Sequence, residues 1–191
     1  MSFQFDKGSF ANARALPVIV LVDPCHHRLK NRRGLSHGEI AGVLTNCRAA
    51  LLHARSMGMA VAFIRDGANP RIGSNSDWIK GFEPERHDMI FERRALSCYA
   101  NPYFDEIARA SGDLVVAGFP GSGGCLSTAA DAVRAGTRIT FLEDATVDGE
   151  SAHALGAFSL ARISALTKIE IYATGTQEWI SSTRMSDRSN A

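Results

Sequence analysis

Two rhythms of apolar positions alternate along this chain. Leu16–Val22 (LPVIVLV), Met59–Ile64 (MAVAFI) and Leu114–Ala117 (LVVA) are short runs with no polar position, the pattern of strands buried on both faces of a parallel sheet. Asp88–Glu92 (DMIFE) and Arg138–Leu142 (RITFL) are shorter strands, and Lys168–Tyr172 (KIEIY) alternates polar with apolar as an edge strand does. Between them the period changes. Ile40, Val43, Leu44, Cys47, Leu51 and Leu52 recur at helical spacing within His37–Met57, ahead of Gly58. Asn101–Ser111 reads as a helix with Pro102 in its first turn, and Gly149–Leu166 as another, starting at Asp148 or Ser151. Strands alternating with helices predict a three-layer α/β/α, Rossmann-like fold around a mostly parallel six-stranded sheet.

The stretch Leu114–Gly136 organises the chain. Its strand runs into Gly118-Phe119-Pro120-Gly121-Ser122-Gly123-Gly124, where four of seven residues are glycine. Such density suits a backbone that turns sharply or approaches a ligand. The helix that follows, rich in alanine, begins near Gly123 or Cys125 and closes at Gly136. Its first N–H groups and its positive dipole end point at whatever lies over the turn, a place for an anion, a carbonyl oxygen or a thiolate. The plainer reading is an ordinary strand-to-helix connection.

Asp23 ends the first strand, and Pro24 stops further pairing. A carboxylate at the C-terminal end of a central parallel strand sits where open α/β sheets hold ligands. A helix cap or a loop salt bridge is the structural alternative. Arg93-Arg94 leaves the third strand, and one of the two is expected to enter the same crevice as Asp23.

Composition narrows the setting. The 191 residues fit one domain, residues 1–191, with 1–13 and 182–191 read as poorly ordered tails. With 21 basic against 20 acidic side chains the net charge is +1, and no basic stripe argues for nucleic acid. The densest positive run, His26–Arg33, reads as a solvated loop or as a patch that greets an anionic substrate. Cys25, Cys47, Cys98 and Cys125 form no CxxC pair, and no signal peptide or membrane-length apolar span is read, so reduced thiols in the cytoplasm are expected. Cys47 belongs to the apolar face of its helix, Cys98 packs behind the Arg93 segment, and Cys25 is close enough in sequence to Asp23 to line a pocket.

In this order and spacing the segments resemble the isochorismatase-like (cysteine) hydrolase superfamily, from Leu16 to about Trp179. VIVLVDP matches its opening strand ending in Asp. Asn46-Cys47-Arg48-Ala49-Ala50-Leu51-Leu52 is similar to its Asn-x-x-x-Leu-Leu helix. Asp88–Tyr99 corresponds to the segment with its Lys, and Gly118 through Thr128-Ala129-Ala130-Asp131-Ala132 to its closing motif. In the amidase branch Asp, Lys and Cys cooperate, the thiol attacking a carbonyl. The resemblance carries Asp onto Asp23 and Lys onto Arg93, a departure, since Arg keeps the charge but not the proton chemistry or the shape. An ungapped alignment carries the nucleophile onto Gly124 rather than Cys125.

True isochorismatases also have Gly followed by Cys or a small apolar residue here, in a segment similar to GGCLSTAADA. Their chemistry needs no thiol: an Asp protonates a vinyl ether and water completes the hydrolysis. The resemblance therefore implies a hydrolase of a small metabolite, with Asp23 as acid/base, Arg93 as electrostatic anchor, and Phe119, Pro120, Gly121, Gly123 and Gly124 around a bound oxygen. A cysteine amidohydrolase using Cys125 and a non-catalytic member that only binds ligand stay open. The resemblance further implies a cis Phe119–Pro120 bond, no cofactor, and a homo-oligomer. No catalytic metal is expected, because Asp66-Gly67-Ala68 lacks the Asp-x-His of nicotinamidases.

Overall fold

The computed structural model describes residues 16–30, 36–67, 77–119, 121–146 and 171–189. Six strands form one sheet: β1 (Val18–Val22), β2 (Val61–Asp66), β3 (Met89–Arg93), β4 (Asp113–Gly118), β5 (Arg138–Thr146) and β6 (Ile171–Thr174). Their order is β3-β2-β1-β4-β5-β6, and every pairing is parallel. This is the doubly wound order, with its reversal between β1 and β4. The sheet expected as mostly parallel is wholly so.

The two-residue period of the strands divides the core. Ile19, Leu21, Val115 and Ala117 face a cluster with Cys47, Ala50, Leu51 and Ala54 of α2 (His37–Ser56) and Trp179 and Ile180 of α5 (Thr176–Ser189). Val18, Val20, Val22, Leu114 and Val116 face the other way, onto Phe104 and Ala108 of α3 (Pro102–Ser111) and Ala129 and Ala132 of α4 (Leu126–Arg134). Because both faces are covered, β1 tolerates no polar residue and all five of its positions are buried.

Local signals set the helix ends. Ser36 and Glu39 form a reciprocal capping box on α2, with the Ser36 N–H donating to Glu39 Oε2 at 2.8 Å. Asn101 caps α3 through the amides of Tyr103 and Phe104, with Pro102 at its start.

Four elements differ from the sequence reading. His26–Lys30 is a short helix, α1, where the basic run suggested a loop. Cys98–Ala100 forms a 3₁₀ turn. β5 runs past Leu142 to Thr146, because after an irregularity it pairs again with Gly118 at the end of β4. The polar composition from Ser181 suggested a tail, yet α5 continues to Ser189; Asp144 accepts hydrogen bonds from the Thr176 N–H (2.8 Å) and Oγ1 (2.6 Å) at its start. The expected edge strand is β6, described here from Ile171 to Thr174. The helix expected over 149–166 and the Phe119–Pro120 bond lie outside the described residues.

Candidate active site

Four neighbouring strands deliver the site from their C-terminal ends. Asp23 follows β1 directly, Asp66 ends β2, Arg93 ends β3 and Gly118 ends β4. Asp66 and Arg93 are register partners. β1, at the centre, separates β2 from β4, so the residues gather at the switch point of the sheet, the crevice where such folds bind ligands.

Asp23 is fully buried and has a left-handed backbone (φ 50°), unusual for a residue other than glycine. This turn lets its N–H reach the Ile64 carbonyl (2.8 Å) while the Cys25 N–H donates to the Asp23 carbonyl (2.7 Å). Its Oδ2 accepts a hydrogen bond from Arg93 Nη2 and lies 3.1 Å from Arg28 Nη2. Arg28 also donates to Asp66 Oδ2 at 2.6 Å. Two carboxylates and two guanidiniums thus balance. Asp23 Oδ1 and Arg93 Nε are buried and meet no partner among the described residues. Burial pushes the Asp23 carboxyl above its ordinary range, while Arg93 and Arg28 pull it down and Asp66 adds to the rise.

Arg93, also buried, is held by its own loop: Nη1 donates to the Ala95 carbonyl at 2.5 Å. The Gly67 N–H donates to the Arg93 carbonyl (2.8 Å), and Asn101 Nδ2 to that of Glu92 (2.8 Å). Backbone on both sides of the guanidinium is therefore fixed before any ligand arrives.

The turn after β4 is shaped by what it cannot hold. Gly118 has φ +127°, and a Cβ there would collide with the backbone of Val22. Only glycine fits, and β4 closes tightly on β1 at the crevice. Gly121–Cys125 then form a π-helical turn leading into α4, a widened geometry common at functional sites. A Cβ at Gly124 would lie 2.9 Å from Val22 Cγ1 and 3.4 Å from Arg93 Nη2. Position 124 therefore faces the guanidinium. Cys125 is fully buried within the α3/α4 core cluster that includes Val22, Cys98 and Ala129.

The expected residues separate accordingly. Asp23, Arg93 and Gly124 come together; Cys125 packs into the core. Phe119 is buried in the opposite core cluster, and its N–H donates to the Val22 carbonyl at 2.6 Å, so the fold itself uses this amide. Gly123 is partly exposed in the turn, Gly121 opens it, and Pro120 lies outside the described residues.

Sequence reasoning missed two charged members, Arg28 and Asp66, and one neutral support, Thr128. Arg28 was hidden inside a basic run, and Asp66 looked like a turn residue; only the pairing of strand ends identifies them. Thr128 Oγ1 donates to the Gly124 carbonyl (2.7 Å) and accepts from the Cys98 N–H (3.0 Å), tying the glycine turn to the loop after Arg93.

No disulfide links the four cysteines. Burial pushes the Cys98 thiol up to about 12 and raises Cys47 as well, so both are inert packing groups. Burial, then Asp23 and Asp77, pushes the Cys25 thiol up to about 12. Among the described residues one group could hold a metal ion: Cys25, His27 and Asp77. No helix among them is long and apolar enough to cross a membrane.

Known proteins agree with this architecture. No curated protein sequence matches the chain significantly. Several solved structures do. An isochorismatase from Pseudomonas putida KT2440 superposes with a TM-score of 0.70 at 18% identity, covering 85% of this chain and 89% of that one. An isochorismatase-like hydrolase from Alkaliphilus metalliredigens gives 0.71 at 18% identity, with 88% and 99% covered. N-carbamoylsarcosine amidase from Thermoplasma acidophilum gives 0.65 at 22% identity, with 84% and 96% covered. At such identities these likenesses establish the fold. The sequence model of the isochorismatase domain matches residues 17–170, which includes every strand end that builds the crevice, and the chain belongs to the isochorismatase domain family.

Proposed function

We propose that this protein is a hydrolase of a small anionic metabolite that works through Asp23 without a thiol nucleophile. Position 124 carries the reading. The residue facing Arg93 is glycine, and the nearest thiol in sequence, Cys125, is packed into the core. A mechanism based on attack by sulfur has no sulfur at the position that faces the charges.

Asp23 is the proton-transfer group. Its carboxyl is buried and raised, so it can hold a proton that an exposed carboxyl would release. Arg28 and Arg93 already converge on it. A substrate carboxylate that accepts hydrogen bonds from Arg28 draws this charge away from Asp23 and so favours its protonated form. For a vinyl ether, the proton passes from Asp23 to the terminal vinyl carbon. Water then adds to the resulting oxocarbenium carbon, and the hemiketal collapses to a ketone and an alcohol. The missing side chain at Gly124 lets the Arg93 guanidinium lie close against the turn, beside Asp23.

The test is turnover on a panel of carboxylate-bearing vinyl ethers and carbamoyl amides. Asp23→Asn is expected to lower kcat/KM by about 10²–10⁴-fold, the usual contribution of a positioned proton donor. Cys125→Ala should retain activity in its folded fraction. Equal loss in both variants returns the thiol to the mechanism. Absence of turnover across the panel, together with tight binding of an anionic ligand, leaves a binding role instead.

A further inference from the structure

A second group of chemistry-bearing side chains stands beside the crevice and takes no part in the reading above. Cys25 Sγ, His27 Nδ1 and Asp77 Oδ2 all lie within 4.8 Å of one another. We propose that Cys25, His27 and Asp77 bind a zinc-like transition-metal ion, which clamps the exit of β1 to the segment that precedes β3.

The backbone brings these residues together independently of any ion. Cys25 and Trp78 form an antiparallel bridge. The His26 N–H donates to the Asp77 carbonyl at 2.8 Å, and the Ile79 N–H to the Pro24 carbonyl at 3.0 Å. Two segments about fifty residues apart are thus locked in register on both sides of the cluster, and the ligand atoms start from rigid positions. Cys25 is buried, and among the described residues its thiol makes no hydrogen bond. A buried sulfur within 4.8 Å of an imidazole nitrogen and a carboxylate oxygen, with no hydrogen bond among the described residues, is the observation that points to a ligand.

The donor set chooses the ion. Thiolate and imidazole are soft to intermediate ligands that favour zinc and its neighbours over magnesium or calcium, which take oxygen. The spacing is compatible. Zinc holds N and O ligands at about 2.0–2.1 Å and sulfur at about 2.3 Å, so tetrahedral partners stand roughly 3.3–3.6 Å apart. His27 Nδ1 and Asp77 Oδ2, now 2.5 Å apart, would separate by less than about 1 Å, and Cys25 would approach through a side-chain adjustment. Binding exchanges the thiol proton for the ion: Cys–SH and M²⁺ give the Cys–S–M bond and H⁺ released to solvent.

The consequence reaches the crevice through α1. His27 lies one residue before Arg28, whose guanidinium spans Asp23 and Asp66. An ion on His27 fixes the first turn of α1 and with it the placement of Arg28. The site is separate from the end of β2, where Asp66-Gly67-Ala68 lacks an Asp-x-His pair, and it stands whether or not the hydrolase reading holds.

The experiment is metal binding to the full chain after removal of adventitious metal with a chelator. Zn²⁺ affinity is read by competition with a chromophoric chelator. Co²⁺ is added separately, and its near-ultraviolet charge-transfer band reports a thiolate ligand. One Zn²⁺ per chain, a Co²⁺–thiolate band lost in Cys25→Ser, and affinity lowered about 100-fold or more in Asp77→Asn are expected. Asp77 is partly exposed, so this variant keeps the test decisive if Cys25→Ser fails to fold. Mg²⁺ should not compete. The proposal is overturned if the wild-type chain shows no Zn²⁺ binding, if the Co²⁺ complex lacks the thiolate band, or if Asp77→Asn binds Zn²⁺ as tightly as wild type.

Discussion

Two buried polar regions flank the same sheet and are built on opposite rules. At the crevice, Asp23, Arg93, Arg28 and Asp66 bring four formal charges together, and Asp23 Oδ1 and Arg93 Nε meet no partner among the described residues. At the junction of α2, β5 and α5, polar groups meet mostly neutral partners. Asn46 Nδ2 donates to the Asp144 carbonyl (2.9 Å), the Cys47 thiol to the Ala145 carbonyl (2.9 Å), and Asp144 Oδ1 accepts twice from Thr176. The junction uses polar groups to hold helices on a sheet, and its unpartnered buried atom among the described residues is a ring nitrogen, His53 Nδ1. The crevice keeps buried charge with capacity to spare, an arrangement that costs stability unless something else uses it. Where buried charge and spare acceptors coincide, chemistry is the better explanation than architecture.

Substitutions should separate the two regions by size of effect. Arg93→Met leaves Asp23 buried with its principal partner gone, and a loss of about 3–5 kcal/mol in unfolding free energy is expected from denaturant melts. Arg93→Lys should cost less, because charge is kept while the fork that reaches Asp23 and the Ala95 carbonyl is lost. Gly124→Ala forces a methyl group against Val22 Cγ1 at 2.9 Å. It should destabilise by about 1–3 kcal/mol and shift the Arg93 guanidinium, read by melts and by weaker binding of anionic ligands.

Neutral contacts give smaller numbers. Thr128→Val strands the Cys98 N–H and frees the Gly124 carbonyl. A loss of about 1–3 kcal/mol follows, together with slower turnover, because the glycine turn is no longer tied to the Arg93 loop. A thermal melt combined with kcat distinguishes this from a merely structural role. If stability falls and kcat per folded molecule does not, Thr128 supports the fold alone.

The smallest effect is one of pH and lies at the junction. His53 is buried against Trp179, edge to face at 5.2 Å between ring centres, with Nε2 2.6 Å from Thr183 Oγ1. Burial, then Arg184, holds its pKa below the ordinary 6.5. The folded state therefore binds fewer protons than the unfolded chain as acid is added. Its contribution is present above about 6.5 and lost as pH falls below that value through the folded pKa. Urea midpoints should decline over this interval in wild type and decline less in His53→Gln.

Much of this was legible in the sequence, for reasons that differ by residue. β1 and β4 announced themselves because a strand buried on both faces cannot carry a polar residue, and Asp23 was visible as the first exception after such a run. The crowding at position 118 was foreshadowed by glycine density, though not the collision with Val22 that requires it. Arg28 was not legible as a site residue. Its side chain joins the crevice only because α1 folds back across the ends of β1 and β2, a fact of tertiary structure that a basic run cannot encode. Asp66 was hidden for the same reason. α5 was misread because its polar composition resembles a tail, whereas Trp179 and Ile180 anchor it on the sheet and Asp144 secures its first residue. The π-helical turn decided which of two adjacent residues faces the charges, and one-dimensional spacing could pose that question without resolving it.

The most direct measurement of the central claim is the alkylation rate of Cys125 in the native protein. It is followed peptide by peptide in a mass spectrometer across neutral pH, with Asp23→Asn alongside. A thiol packed in the α3/α4 core should remain unmodified until the protein unfolds, at the same rate in both proteins. Rapid modification near neutral pH that slows in Asp23→Asn would contradict the account, because it would put an activated sulfur within reach of Asp23 and make Cys125 the nucleophile.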